Sequence, residues 1–518
     1  MIRKIIYLLT CIFTFGNLYA LSPPFAVNLG GVYVLEDWFL SEANIKNVSE
    51  DKHVGIYVST PCDYVVGDSK KFIVNDDKLA QFYFTSEVDL IKQLRTKYNK
   101  SDKDIINYFK AHRQQYLSSN TSGENILVEN FKQIKSLGIS VVRLPITWAI
   151  TYEEPYDIYN EKNITFSIPA GKSDYFIIQD PFHYTEEMPY AWASIPISEI
   201  EHILEIAEQN GIRVLLDIHA YPGGASGGTF NGVWPLPPEF WTATTKVNGQ
   251  AIYRKNFQTI VGNLINWAGA LKNTNKAAYR GLFGITPMNE PAHLHAIPDA
   301  TCNPQAPWIS DVSYTDILET LNDAIVLFKN SNLPKDNKYL VLNVIETMIP
   351  NSTGKSELAY IGNWWQHQTS LSDDDRKQWA YLDIHHYFAW DEQCNQCLQQ
   401  YIDKDIIKPE AFDNIHNCAK NFYGQLRDSL GVNQDVLLAT SEFSASTNFD
   451  TKNSCSSNVS GIKLKNYQQY RDKTYESQVK YANENGIKMF FWTWKLPYNH
   501  NFQNEWSFSY IESQSTNE

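Results

Sequence analysis

Long apolar stretches are scarce in this 518-residue chain. One runs from Ile5 to Phe15, behind Arg3 and Lys4 and ahead of Ala20; no other segment is apolar enough to cross a bilayer. A basic start, a short apolar centre and a small residue at a plausible cut read as an export signal over 1–20, expected to be cleaved rather than kept as an anchor. The segment from Ser513 to Glu518 lacks the hydrophobic tail of a lipid-anchor signal. Positive charge is also in deficit: 44 Lys and Arg stand against 58 Asp and Glu, a net charge of −14. Such a surface repels nucleic acid and anionic membrane and suits an uncharged polymer or sugar. Repeats, low-complexity tracts and a Pro/Ser-rich linker are missing, so 21–518 is expected to form one domain. No Gly-rich phosphate fingerprint follows the first strand-like run, which argues against a doubly wound nucleotide-binding sheet.

Cysteines are few, seven in all. Cys11 falls in the signal; Cys62, Cys302, Cys394, Cys397, Cys418 and Cys455 remain. An even set in an exported chain points to disulfides, in any of 15 pairings. Cys394-x-x-Cys397 has no partner pair or strand–helix setting that would make it a zinc or redox motif. Six Asn-x-Ser/Thr sequons, at Asn47, Asn99, Asn120, Asn163, Asn351 and Asn458, fit a secreted glycoprotein.

What is present describes a globular protein able to bury a large core, 43% hydrophobic and 20% charged. Aromatics make up 14%. Core packing accounts for most of them; stacking on the C–H face of a sugar is the further reading, and position must separate the two. Eight short apolar runs, at 25–29, 141–144, 214–218, 282–288, 339–344, 379–384, 436–440 and 489–492, read as buried parallel strands. Helices alternate with them. Thr121-x-x-Glu124 and Ser198-x-x-Glu201 are expected to cap two, ended by Gly138 and Gly211. Others are expected near 252–272, 314–330, 415–430 and 464–485, with Gly431 and Gly486 ending the last two. Pro287 falls in an apparent central strand, where it cannot donate a ladder bond and would need a bulge. The alternation predicts a (β/α)8 TIM barrel with long βα loops. Loops at 40–120, 150–194, 220–250, 291–311, 388–410 and 443–463 would wall a site at one barrel face, and a closed cleft would favour cutting from a chain end.

Two glutamates, Glu290 and Glu442, follow such runs and would both point into the barrel mouth. An unpaired carboxylate after an apolar strand costs several kcal/mol, so function is the better account of each. Cleaving a glycosidic bond with retention needs such a pair, one carboxyl protonating the leaving oxygen and the other attacking the anomeric carbon. His385 and Tyr387 alternate at one strand end and face the same side.

The ordered blocks Asn28-Leu29-Gly30-Gly31, Val142-Arg143-Leu144-Pro145, Asp217-Ile218-His219, Asn289-Glu290-Pro291, Asp383-Ile384-His385-His386-Tyr387, Ser441-Glu442-Phe443 and Phe491-Trp492-Thr493-Trp494 resemble glycoside hydrolase family 5, most like its fungal-type exo-β-1,3-glucanase branch. The resemblance covers nearly the whole chain after residue 20. It implies Glu290 as acid/base and Glu442 as nucleophile. It implies Arg143 beside Glu442, Asn289 on the sugar 2-hydroxyl, and His385 and Tyr387 orienting Glu442. His219 falls in the same site, Glu36 on non-reducing-end hydroxyls, and Trp494 as the floor under the reacting sugar, with Trp492 as packing. Phe230 and Trp390 would clamp the pocket entrance. Departures are Ser441 for the usual Gly, Phe443 for Trp, Val32 for Trp, Asp37 for Pro, and Ala220-Tyr221 for Gly-Ala.

The expectation is therefore a secreted, monomeric retaining β-glucosidase-type hydrolase, extracellular or wall-associated, releasing glucose from β-1,3-glucan. It needs no metal or cofactor, and β-glucan or oligosaccharide is its partner. Another family-5 specificity (β-1,4, β-1,6, endo, or glycolipid) and an inactive sugar-binding protein are the alternatives.

Overall fold

The computed structural model describes residues 21–36, 70–75, 78–82, 84–118, 125–150, 157–159, 165–167, 174–184, 189–226, 228–234, 236, 238–244, 246–247, 249–291, 312–344, 354–389, 409–446, 464–496 and 503–515. Eight strands close into a barrel: β1 Ala26–Asn28, β2 Val141–Thr147, β3 Arg213–Ala220, β4 Leu282–Thr286, β5 Tyr339–Asn343, β6 Ala380–Asp383, β7 Leu438–Phe443 and β8 Ile487–Phe491. Each pairs in parallel with the next in chain order, and β8 closes on β1. This is the (β/α)8 architecture expected from the sequence, and all eight apolar runs lie on its strands.

The barrel is filled by one side chain from each strand: Ala26, Val141, Leu215, Phe283, Val341, Tyr381, Ala439 and Phe490. Phe25, Tyr339 and Leu437 pack against this set. The strands' alternate residues, such as Val27, Val142, Leu216, Leu340, Leu382 and Phe491, join the larger core under the helices. Both faces are thus apolar, which is why the strands read as continuous rather than alternating runs.

The helical layer comprises α1 Ile126–Ser136, α2 Ile197–Gln209, α3 Ile252–Thr274, α4 Tyr314–Asn330, α5 Gly354–His367, α6 Pro409–Phe422, α7 Leu464–Glu484 and α8 Phe508–Ser515. Leu127, Phe131 and Ile134 of α1 are buried at helical spacing, as are Ile200, Ile203, Leu204 and Ala207 of α2. Gly138, Gly211, Gly431 and Gly486 follow helices with positive φ, the left-handed exit that a Cβ disfavours.

Several local expectations are corrected. Asn125 caps α1, its side chain accepting from the Val128 N–H; Thr121 and Glu124 lie outside the described residues. Pro196 stands at the N-cap of α2, so Ser198 lies inside the first turn and is not the cap. Pro287 lies past β4, which ends at Thr286; the irregularity in β4 falls between Leu282 and Gly284. The helix expected over 415–430 is divided into α6 and a short helix Leu426–Leu430.

The long segments beyond the strand ends carry structure of their own. After β1 come a hairpin (Lys70–Asn75 with Lys78–Phe82) and helices Glu87–Thr96 and Asp102–Leu117; after β2 comes a hairpin of Ile177–Tyr184 with Pro189–Ala193. The two are joined where the Ala193 N–H donates to Glu87 Oε1 at 2.9 Å. Among the described residues no helix is long and apolar enough to cross a membrane. The proposed signal lies outside those residues, as do every cysteine except the buried Cys418 and every sequon except the exposed Asn99.

Candidate active site

Two residues further along the strands than the apolar filling, the barrel interior turns polar. Asn28, Arg143, Asp217, Asn343, Asp383 and Ser441 occupy this layer, all buried. Such groups survive burial only by pairing, and here they pair with one another. Arg143 Nη1 donates to Asn28 Oδ1 at 3.0 Å and to Glu442 Oε1 at 2.6 Å. Its Nη2 donates to Asn289 Oδ1 at 2.7 Å and lies 2.9 Å from Asp217 Oδ2. Burial opposes the guanidinium charge, but the carboxylates of Asp217, Glu442 and Asp383 outweigh it and hold Arg143 above its ordinary pKa. Asn28 Nδ2 donates to the carbonyls of Ser441 (3.0 Å) and Phe491 (3.1 Å), tying β7 to β8 beneath the site.

Above this layer stand the residues at the carboxyl ends of the strands. Glu442 lies in β7 where four residues, from Thr440 to Phe443, oppose three on β8, from Met489 to Phe491. The extra residue is a bulge, and a bulge re-aims side chains. Consecutive residues therefore both reach the interior: Ser441 Oγ meets Asp383 while Glu442 meets Arg143. Glu290 follows β4 with φ of +38°, a left-handed conformation that a non-glycine residue adopts only where its surroundings hold it. Its N–H donates to Asn343 Oδ1 at 2.8 Å.

The two glutamates converge. Glu290, His385 and Glu442 each present a ligand atom within 4.8 Å of the other two. Tyr387 Oη donates to Glu442 Oε2 at 2.8 Å. Burial, followed by the charges of Glu442, Glu290 and Glu36, raises the Tyr387 pKa well above its usual value, so the phenol stays a donor. His385 differs from expectation: its Nδ1 lies 2.6 Å from Glu290 Oε1 and 3.6 Å from Glu442 Oε2, so it orients Glu290 first. Burial pushes the imidazole down, but Glu442, Asp383 and the bond to Glu290 lift it to about 10. A protonated His385 and the Arg143 guanidinium flank the carboxylates, which makes the cluster a place for a shared proton and a poor host for a divalent cation.

His219, at the end of β3, directs Nδ1 at Asp217 Oδ2 (2.6 Å) and Nε2 at the Asn289 amide nitrogen (3.3 Å). With Arg143 on its carbonyl oxygen and His219 on its nitrogen, the Asn289 amide has one orientation. Trp492 stacks on His219 with ring centroids 5.5 Å apart, and Phe230 meets the same ring edge-on at 5.3 Å. Glu36 is buried near the mouth, with Thr229 Oγ1 3.4 Å from its Oε2.

Trp494 is not at this site. Its Nε1 donates to Asn130 of α1 at 3.2 Å, and its ring packs near Phe508 of α8, behind the barrel wall. Trp492, expected only to pack, is the indole beside His219. Trp492 is two residues beyond Phe490, which fills the barrel, so alternation favours it over the assignment the resemblance implied. Trp390 lies outside the described residues. Sequence reasoning named no role for Asp217, Asn343, Asp383 or Ser441. Their signal was a polar residue in a strand buried on both faces, placed two residues before a site residue in Asp217-x-His219 and Asp383-x-His385.

No family model matches the chain. It is similar to glucan 1,3-beta-glucosidase 2 of Saccharomyces cerevisiae, 25% identical over 222 residues, which is 42% of this chain and 31% of that protein. The chain thus matches about a third of the length of this curated relative. Among solved structures, an endocellulase from Pyrococcus horikoshii in complex with cellotetraose aligns at 15% identity and a TM-score of 0.39, covering 76% of this chain and 86% of its own. A GH5-4 broad-specificity endoglucanase from an uncultured bacterium aligns at 14% identity and a TM-score of 0.39, covering 71% and 77%. At such scores these structures add nothing to the barrel geometry. The resemblance to glycoside hydrolase family 5 read from the motifs holds in the eight-stranded barrel and in the likeness to the yeast glucosidase.

Proposed function

We propose that the chain is a retaining glycoside hydrolase acting on β-glucan, with Glu442 as nucleophile and Glu290 as acid/base. The observation that carries this reading is the approach of Glu290 and Glu442 oxygens within 4.8 Å across a buried, polar barrel mouth. A retaining pair stands about 5–5.5 Å apart, whereas an inverting pair leaves about 6.5–9.5 Å for a water.

The two carboxyls have unequal surroundings, as the two roles require. Arg143 and Tyr387 each donate to Glu442, one to each oxygen, which fixes the carboxyl group in the mouth. Glu290 has His385 as its proton-bearing neighbour. In the first step Glu442 attacks the anomeric carbon. The bond to the leaving oxygen breaks with its electron pair, and Glu290 supplies the proton. In the second step Glu290 takes a proton from water as that water displaces Glu442. Asn289, held in one orientation, meets the sugar 2-hydroxyl, and Trp492 with Phe230 forms an aromatic wall for the sugar's C–H face.

Release of glucose from the ends of β-1,3-glucan is the finer proposal. It is supported by the similarity to a yeast glucan 1,3-β-glucosidase and by Glu36, a buried carboxylate able to bind terminal hydroxyls. Export after removal of 1–20 belongs to the same reading. Product analysis on β-1,3-, β-1,4- and β-1,6-linked glucose oligomers tests it. Free glucose from the β-1,3 series is expected. Shorter oligosaccharides without glucose contradict end-wise action, and no product contradicts hydrolysis.

A further inference from the structure

We infer that Ser441 and Asp383 are positioning residues that keep His385 protonated at Nε2, confining the working proton of Glu290 to the line between His385 Nδ1 and Glu290 Oε1. The inference deepens the reading of Glu290 as acid/base and rests on it.

Proton counting at Ser441 carries the argument. Asp383 is fully buried; its Oδ1 accepts the Ser441 N–H at 2.7 Å, and its Oδ2 lies 2.5 Å from Ser441 Oγ. Asn343 Nδ2 also donates to Oδ2, at 3.1 Å. Burial would raise the Asp383 pKa, but His385, Ser441 and Arg143 hold it below its usual value, so the group is a carboxylate and can only accept. The one Ser441 hydroxyl proton therefore points at Asp383. Ser441 Oγ can then only accept from His385 Nε2, 2.9 Å away, and Asp383 Oδ2 itself lies 3.3 Å from that nitrogen. Nε2 keeps its hydrogen in both charge states of the ring.

Only Nδ1 is left to exchange a proton, and it faces Glu290 Oε1 at 2.6 Å. Placed on nitrogen, the proton gives an imidazolium beside a carboxylate. Placed on oxygen, it gives a neutral imidazole accepting from a carboxylic acid. No other proton moves between the two arrangements. The acid form gives its proton to the leaving oxygen, and the water of the second step restores it.

The same carboxylate also reaches the Glu290 backbone. Asn343 bridges Asp383 and the Glu290 N–H, so one ring of hydrogen bonds holds Glu290 at both its amide and its carboxyl. The charged groups against His385 are Glu442 on β7, Asp383 at the end of β6 and Glu290 beyond β4, with Arg143 on β2 behind Glu442. Tyr387 faces it from its own segment, and Glu36 lies across the mouth. Asp383 and Glu442 favour a proton on His385.

Two measurements test the inference. Nitrogen-15 histidine NMR of the intact chain, with the His385 signals assigned by their loss in His385→Gln, should show Nε2 protonated at every pH and titration confined to Nδ1. A neutral ring carrying its hydrogen on Nδ1 overturns it. In kinetics, Asp383→Asn removes the charge and lets an amide donate towards Ser441. The alkaline limb of kcat/KM should move down by about one pH unit or more. The loss should be at least about tenfold greater on methyl β-glucoside, whose leaving oxygen needs a proton, than on 2,4-dinitrophenyl β-glucoside. Ser441→Ala, which is nearly isosteric, should show the same order with a smaller loss. Equal losses on both substrates, or an unmoved alkaline limb, overturn the inference. Wild-type inactivity on both glucosides would overturn the hydrolase reading instead, and the NMR tautomer would still decide the hydrogen-bond assignment.

Discussion

Arg143 and Glu442 meet at 2.6 Å inside the barrel, from strands 299 residues apart, and the same guanidinium also reaches Asp217 and Asn289. One side chain thus sets both the nucleophile and the amide beside the acid. Removing it leaves buried carboxylates without their counter-charge. Arg143→Met should lower unfolding stability by about 3–5 kcal/mol and reduce turnover together. Denaturant unfolding followed alongside activity checks both.

Glu442→Gln keeps the shape of the side chain but removes the attacking charge. Turnover of a β-glucan oligomer should fall by at least about a thousandfold, with the thermal midpoint little changed. Rate measurement on a natively folded variant is the check, and surviving activity would reassign the nucleophile.

The two tryptophans after β8 should separate cleanly. Trp492 stands beside His219, so Trp492→Ala should raise KM and lower kcat. Trp494 packs behind the wall and bonds Asn130, so Trp494→Ala should cost about 3–5 kcal/mol of stability while the remaining folded enzyme keeps its KM. Kinetics and unfolding of both variants distinguish the roles.

His112 predicts part of the acid sensitivity. Its Nε2 lies 2.7 Å from the Gly31 carbonyl, and its Nδ1 lies 3.0 Å from the Gln115 amide nitrogen, a pattern that a neutral ring satisfies. Burial pushes its pKa down to about 4. A folded pKa below the unfolded value contributes stability above about 6.5, which is lost as pH falls towards 4, by no more than about 3 kcal/mol. Unfolding curves between these limits should fall less steeply in His112→Gln.

The barrel was legible because parallel strands buried on both faces must be apolar, and such runs stand out at eight places. Glu290 and Glu442 were legible because each interrupts or follows one of them. Ser441, Asp383 and Asn343 were not assigned roles, because their partners lie tens to hundreds of residues away and a bulge in β7 is invisible without its neighbour. Trp494 was misplaced because the resemblance identifies the block Phe491-Trp492-Thr493-Trp494 and leaves open which of its two indoles faces the mouth. The start of α2 was misread because Ser followed by Glu three residues later is also an ordinary first-turn sequence, and α1 is capped at Asn125, just past the expected Thr121-x-x-Glu124. Phe230 was reached through the resemblance alone, and the structure sets it against His219.

The double-displacement account is tested most directly by the configuration of the sugar at the moment of release. Proton NMR during early hydrolysis of a β-1,3-glucose oligomer should show the β-anomer appearing first and the α-anomer only through later mutarotation. An α-anomer formed first would mean that a water, and not Glu442, attacks the anomeric carbon.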